Sequence, residues 1–116
     1  SEVYSKAGPL IQGFGWEIYA RPVRLDALLN GNRPSLILEA QEATWFEPPL
    51  PPQPDALYNN TGTTGGFGAY ALFMPARETG IVLLANKGYP NTARVEAAYQ
   101  ILTALDALYP DNTKAR

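Results

Sequence analysis

A chain of 116 residues with a net charge of −2 presents no basic surface for nucleic acid or an anionic membrane. Its 46% hydrophobic and 17% charged residues are those of a globular domain with its own core. Cysteine and histidine are both absent, which excludes disulfides, thiol nucleophiles, the usual zinc sites and a Ser-His-Asp triad. Any general base must be Lys, Tyr, Asp or Glu, or a residue of another chain. The apolar runs Ala69–Met74 and Ile81–Ala85 fall well short of the ~20 residues that span a bilayer. Ser1–Tyr4 carries neither the basic start nor the apolar run of a secretory leader.

In chain order, Leu10 to Tyr19 alternates aromatic or aliphatic residues with Gly and polar ones and reads as one strand. Gly13 and Gly15 within it suggest a close backbone approach or a bulge. Pro22 ends it. Leu25–Leu29 reads as a short helical turn stopped by Asn30-Gly31-Asn32, and Ser35–Glu39 as a short strand. Pro48, Pro49, Pro51, Pro52 and Pro54 then fall together. Such a run is neither helix nor central strand, so it predicts an extended, ordered surface crossing.

Leu57–Asn60 leads into a Gly-rich corner at Gly62, Gly65 and Gly66. Phe67–Met74 is apolar on both alternating faces, the pattern of a strand covered on both sides. After the polar loop 75–80, Ile81–Ala85 reads as its antiparallel partner. From Ala93 to about Leu108, the apolar residues Val95, Ala98, Tyr99, Ile101, Leu102, Leu105 and Leu108 recur with helical spacing. Asn91 stands where an N-cap belongs, which starts a helix at about residue 92, and Pro110 ends it.

The segment Asn60-Thr61-Gly62-Thr63 is where chemistry is expected. Its glycines leave room for a ligand or another backbone, and exposed strand N–H and C=O groups can pair with a peptide-like ligand. Taken alone, the segment is equally a Gly-rich turn with two threonines. A phosphate loop fits less well, because the glycines lead into a strand and no Gly-Lys-Ser/Thr follows.

The flanks decide between these readings. Gln12-Gly13-Phe14-Gly15-Trp16-Glu17, Thr61-Gly62-Thr63-Thr64-Gly65-Gly66-Phe67-Gly68-Ala69-Tyr70, Gly80–Lys87, Tyr89-Pro90-Asn91 and Ala93–Ala98 keep a fixed order and spacing. Together they resemble the C-terminal portion of class C (AmpC-type) serine β-lactamases. The resemblance covers nearly the whole chain, with Asp106–Arg116 running past the usual end. It implies a three-layer α/β/α sandwich around an antiparallel sheet, to which residues 1–116 contribute strands, the corner at 60–63 and the helix at about 92–108. It implies a periplasmic hydrolase of antibiotic resistance that opens the β-lactam amide through an acyl-enzyme, without metal or organic cofactor.

The resemblance also implies residue roles. The Thr63 N–H would be one oxyanion donor and its carbonyl would pair with the substrate's side-chain amide. Thr61 and Gly62 would line the site near the substrate carboxylate, which Asn91 and Arg94 would help to recognise. Asn91 is equally a good N-cap, and Arg94 equally a solvated first-turn residue. One position departs from the pattern: Asn60 stands where the family writes lysine, so a neutral amide replaces a cation. The family's nucleophile motif Ser-x-x-Lys is not found after Ser1, Ser5 or Ser35, and Tyr58-Asn59-Asn60 matches Tyr-x-Asn only by accident of position.

The chain is therefore expected to be a C-terminal fragment or one chain of a cleaved enzyme. It would be inactive alone and partnered by a segment or second chain that carries Ser-x-x-Lys and Tyr-x-Asn, with a β-lactam as substrate. Open strand edges and uncovered apolar faces would then favour self-association or a partner chain. Two other classes fit the residues. One is a β-lactamase-fold esterase or D-aminopeptidase, for which the missing lysine matters less. The other is a non-catalytic binding module.

Overall fold

The computed structural model describes residues 2–7 and 10–110. The end of the chain from residue 111, part of the stretch expected to run past the family's usual end, lies outside them. Seven strands form one sheet: β1 (Val3–Ala7), β2 (Leu10–Gln12), β3 (Glu17–Tyr19), β4 (Ala43–Leu50), β5 (Leu57–Thr64), β6 (Phe67–Met74) and β7 (Thr79–Ala85). Their spatial order is β4-β1-β2-β3-β5-β6-β7, and every neighbouring pair is antiparallel. Among the described residues three α-helices accompany it, α1 (Leu25–Gly31), α2 (Pro34–Leu38) and α3 (Asn91–Leu108), with a 3-10 turn at Pro75–Arg77. This is the expected α/β architecture.

The β6–β7 pairing is as expected, with Leu72 opposite Ile81 and Ala69 opposite Leu84. Alternation sends Tyr70, Leu72 and Met74 to one face, where they meet Ile81, Leu28 of α1, and Val95, Ala98 and Leu102 of α3. A smaller core lies on the other face around Val3, Ile18, Ala56 and Tyr58. There the Phe73 ring stacks on Tyr58 and meets Trp16 edge-on, both at 4.9 Å. Farther along the same face Phe67, Val82 and Leu84 are exposed.

Several elements differ from the sequence reading. The stretch Leu10–Tyr19 is a hairpin, not one strand. Gly15 adopts φ +77°, which only glycine takes without strain, and the Gly13 N–H closes the turn on the Trp16 carbonyl at 2.8 Å. The stretch expected as a strand at Ser35–Glu39 is instead helix α2 as far as Leu38, with Glu39 as its extended C-cap, because Pro34 sits in the first turn, where its fixed φ suits a helix and its missing N–H is not needed.

Pro48 and Pro49 belong to strand β4, not to a connector. β4 is an edge strand, and its register against β1 shifts between Val3 and Ser5, so the ladder accommodates residues without an N–H. The ordered crossing begins after Leu50. It is tied down by the Tyr58 hydroxyl, 3.1 Å from both the Gln53 N–H and the Gln53 carbonyl, and by the Ala76 N–H on the Pro54 carbonyl.

The corner is narrower than expected: Gly62 lies inside β5, and only Gly65-Gly66 turns the chain. In α3, Ile101 and Leu108 stay exposed, since each lies more than about 100° around the helix from Val95. Pro90, not Asn91, occupies the N-cap position, and Asn91 starts the helix itself. At the far end Arg77 pairs with Asp106 and donates to the Tyr109 carbonyl, which anchors the last turn of α3 to the β6–β7 connection.

Candidate functional site

The β5–β6 hairpin sets the geometry. A two-residue turn makes its closing pair, Thr64 and Phe67, exchange hydrogen bonds. Counting back, Gly62 with Ala69 and Asn60 with Ala71 do the same, so the N–H and C=O of Thr61 and Thr63 point to the opposite edge of β5. Strand β3 covers that edge only from Leu57 to Asn59. Beyond Asn59 no strand of the described residues pairs with it. A separate open cleft of about 740 Å³ lies at the tip of the hairpin on its β7 side, lined by Gly62, Thr63, Thr64, Phe67, Ala69 and Leu84 among others.

Asn60 points to the face away from α3 and is exposed. Its Nδ2 donates to the Gly15 carbonyl at 2.8 Å, and its Oδ1 accepts from the Thr61 N–H at 2.7 Å. The amide thus ties the β2–β3 turn to the end of the covered edge. It also engages the Thr61 N–H, which leaves the Thr63 N–H as the outward donor of this pair.

Thr61 and Thr63 send their side chains to the α3 face, where they meet Arg94. The Thr61 hydroxyl lies 2.9 Å from Asn91 Oδ1 and 3.1 Å from the Ala69 carbonyl, and the Asn91 Nδ2 donates to the Asn32 carbonyl at 3.0 Å. Arg94 is buried, not solvated. One guanidinium nitrogen donates to Thr61 Oγ1 at 3.2 Å and to the Gly62 and Ala69 carbonyls at 3.0 Å. The other donates to Thr63 Oγ1 and the Tyr89 carbonyl at 3.0 Å. All five acceptors are neutral, so among the described residues the cation is held by dipoles without a carboxylate partner, and its Nε is buried without a hydrogen bond.

Thr61, Gly62, Thr63, Asn91 and Arg94 therefore form one hydrogen-bonded cluster, and Asn60 stands on the other face of the same strand. Gly68 is part of the cradle. A Cβ there would lie 3.1 Å from Arg94 Cζ and 3.2 Å from Nε. Gly68→Ala is expected to lower stability by about 1 kcal/mol, because a guanidinium pinned by five acceptors yields poorly to a methyl group. Denaturant unfolding checks this, and a neutral or stabilising result would contradict the rigid cradle.

The sequence reading missed a second buried polar group behind the cluster. Glu17 and Tyr19 of β3, Asn59 of β5 and Tyr70 of β6 share the α3 side of the sheet. The Asn59 Nδ2 donates to Tyr70 Oη at 2.8 Å. Burial pushes the Glu17 carboxyl up to about 7 and the Tyr70 hydroxyl up to about 12; it raises Tyr19 as well. Strand alternation from Leu57 was the available signal, since it places Asn59 on the inward face.

The sequence pattern of the Beta-lactamase family matches residues 4–106. A β-lactamase of Pseudomonas fluorescens is 46% identical over 103 residues, which are 89% of this chain and 29% of that protein. Among solved structures, the D-alanine carboxypeptidase AmpC of Burkholderia cenocepacia superposes with a TM-score of 0.86 at 48% identity, covering 90% of this chain and 30% of that one. A class C β-lactamase gives a TM-score of 0.84 at 46% identity, covering 90% and 29%. The chain thus spans less than a third of the length of these relatives.

Proposed function

Because the chain belongs to the β-lactamase family, we propose that it supplies the substrate-facing β edge and the anion-side cluster of a class C serine β-lactamase. The observation that carries this reading is the uncovered edge of β5. Its Thr63 N–H and C=O point outward past the end of β3, with no strand of the described residues on them. A planar amide laid along that edge would place its carbonyl oxygen on the Thr63 N–H.

A serine hydroxyl from outside these residues would attack the β-lactam carbonyl. The carbonyl oxygen becomes an oxyanion, held by the Thr63 N–H together with the serine's own N–H. The C–N bond of the ring then breaks, the ring nitrogen takes the proton lost by serine, and water hydrolyses the resulting ester. One such N–H donor is worth about 3 kcal/mol of transition-state stabilisation.

Arg94 acts in this scheme through Thr61 and Thr63. Its nitrogens already hold both hydroxyls, so it fixes their directions and places positive charge behind the pocket where a substrate carboxylate would sit. Asn91 orients the Thr61 hydroxyl from the other side. Asn60 contributes no charge and no base at neutral pH. The nucleophile and the tyrosine base come from the remainder of the polypeptide or a second chain, and the assembled enzyme works in the periplasm.

The neutral Asn60 favours a second reading, a β-lactamase-fold esterase or D-aminopeptidase. The decisive experiment offers the complete protein nitrocefin, a p-nitrophenyl ester and a D-alanyl peptide, and looks for a covalent penicillin adduct by mass spectrometry. Nitrocefin hydrolysis with an adduct supports the first reading. Ester or peptide turnover without nitrocefin turnover supports the second, and absence of any adduct leaves a binding module. The 116 residues alone are expected to turn over none of these substrates.

A further inference from the structure

Glu17, Tyr19, Asn59 and Tyr70 take no part in the hydrolytic scheme, yet they lie directly behind the strand that carries it. Glu17 and Asn59 are register partners across β3 and β5, with both side chains on the α3 face. Asn59 is completely buried. Within this group, Glu17 Oε2, Asn59 Oδ1 and Tyr19 Oη are buried without a hydrogen-bond partner. A carboxylate oxygen and an amide oxygen can only accept, so two such buried oxygens on register partners are both satisfied if the carboxyl carries a proton that they share.

We propose that the Glu17 carboxyl is a neutral hydrogen-bond donor to Asn59 Oδ1, and that the Glu17–Asn59–Tyr70 chain so formed is the positioning element that holds β5 where its Thr61–Thr63 edge opens. The surroundings support a neutral acid. Burial is the cause that raises Glu17, to about 7. The titratable groups that face it are Tyr19 on its own strand and Tyr70 on β6, both themselves raised by burial. From β5 comes the neutral Asn59. Helix α1 brings Leu28 to the core and Gly31 against Tyr19. From α3 comes Arg94, whose two terminal nitrogens are bonded around Thr61 and Thr63 and whose Nε is buried without a partner.

Ionisation removes the donor and sets two acceptors against each other one residue before Asn60. The folded state binds this proton more tightly than the unfolded chain does. Stability is therefore full below the carboxyl's ordinary value of 4.5, falls as pH rises from there to about 7, and is level above. The inference rests on the fold and stands whether the edge serves a hydrolase or a binding module.

The test follows the Glu17 side-chain carbon by NMR in the full chain, with Tm and the exchange protection of the Thr61 and Thr63 amides measured from about pH 4 to about pH 9. The wild type is expected to titrate Glu17 near neutrality and to lose roughly tenfold in protection over the rising part of that range. Glu17→Gln keeps an N–H donor in place of the acid O–H, so its profile should be flat and its Tm higher than wild type at the alkaline end. Tyr19→Phe should keep the wild-type profile. A Glu17 that titrates near 4.5, a Glu17→Gln profile like wild type, or a profile abolished by Tyr19→Phe overturns the proposal; the last would mean that Tyr19 donates to an ionised Glu17.

Discussion

Asn60→Lys in the complete enzyme is expected to raise β-lactam turnover by roughly 10²–10⁴. The side chain at this position leaves β5 on the exposed face and reaches the Gly15 carbonyl. A lysine there can still donate to that carbonyl, and it adds a positive charge beside the open edge of β5. Such a charge lowers the proton affinity of a neighbouring base and attracts a substrate carboxylate. The asparagine amide does neither. Asn60→Met is the control, because it adds length without charge and should leave turnover low. The measurement is kcat and kcat/KM for a cephalosporin. An N60K variant no faster than the natural sequence would mean that the amide is no handicap and that the role given to this position is wrong.

Arg94→Ala is expected to destabilise the fold by about 3 kcal/mol and to weaken anion binding at the edge. Hydrogen bonds from an ionised donor contribute more than neutral ones, and this side chain makes five. The loss is smaller than their sum for two reasons. The Gly62 and Ala69 carbonyls keep their ladder partners, and a buried cation carries its own desolvation cost. Arg94→Lys should recover only part of the stability, since an ammonium cannot span acceptors on both strands of the hairpin and on Tyr89. Chemical denaturation of the three proteins checks the order wild type, Arg94→Lys, Arg94→Ala. Equal stabilities would show that the bonds are no better than those to water.

The elements that could be read directly were those with a long, uniform pattern. Strand β6 has eight residues of alternation, and α3 repeats its apolar stripe over four turns, so both stood out. Thr61, Gly62, Thr63, Asn91 and Arg94 were grouped by resemblance, and they meet in space as one cluster. The misread segments each hang on a single residue with two uses. Gly15 could mark a bulge or a turn, and only the hairpin partner of β2 decides. Pro34 blocks a helix interior but suits a first turn. Pro48 and Pro49 bar a central strand, and only the sheet order reveals β4 as an edge. Alternation from Leu57 hints that Asn59 points inward, but its pairing with Glu17 on the α3 face is a tertiary property set by the register of β3 against β5.

The guanidinium cradle has a mechanical consequence. Arg94 is rooted in the first turn of α3, grips both strands of the β5–β6 hairpin, and holds the Tyr89 carbonyl just ahead of the helix. Fraying at the helix start cannot proceed without breaking grips on the sheet. The two parts should thus behave as a single rigid lever, and a molecule settling against Thr63 would be felt as reduced proteolytic nicking near Lys87, some distance from where it sits.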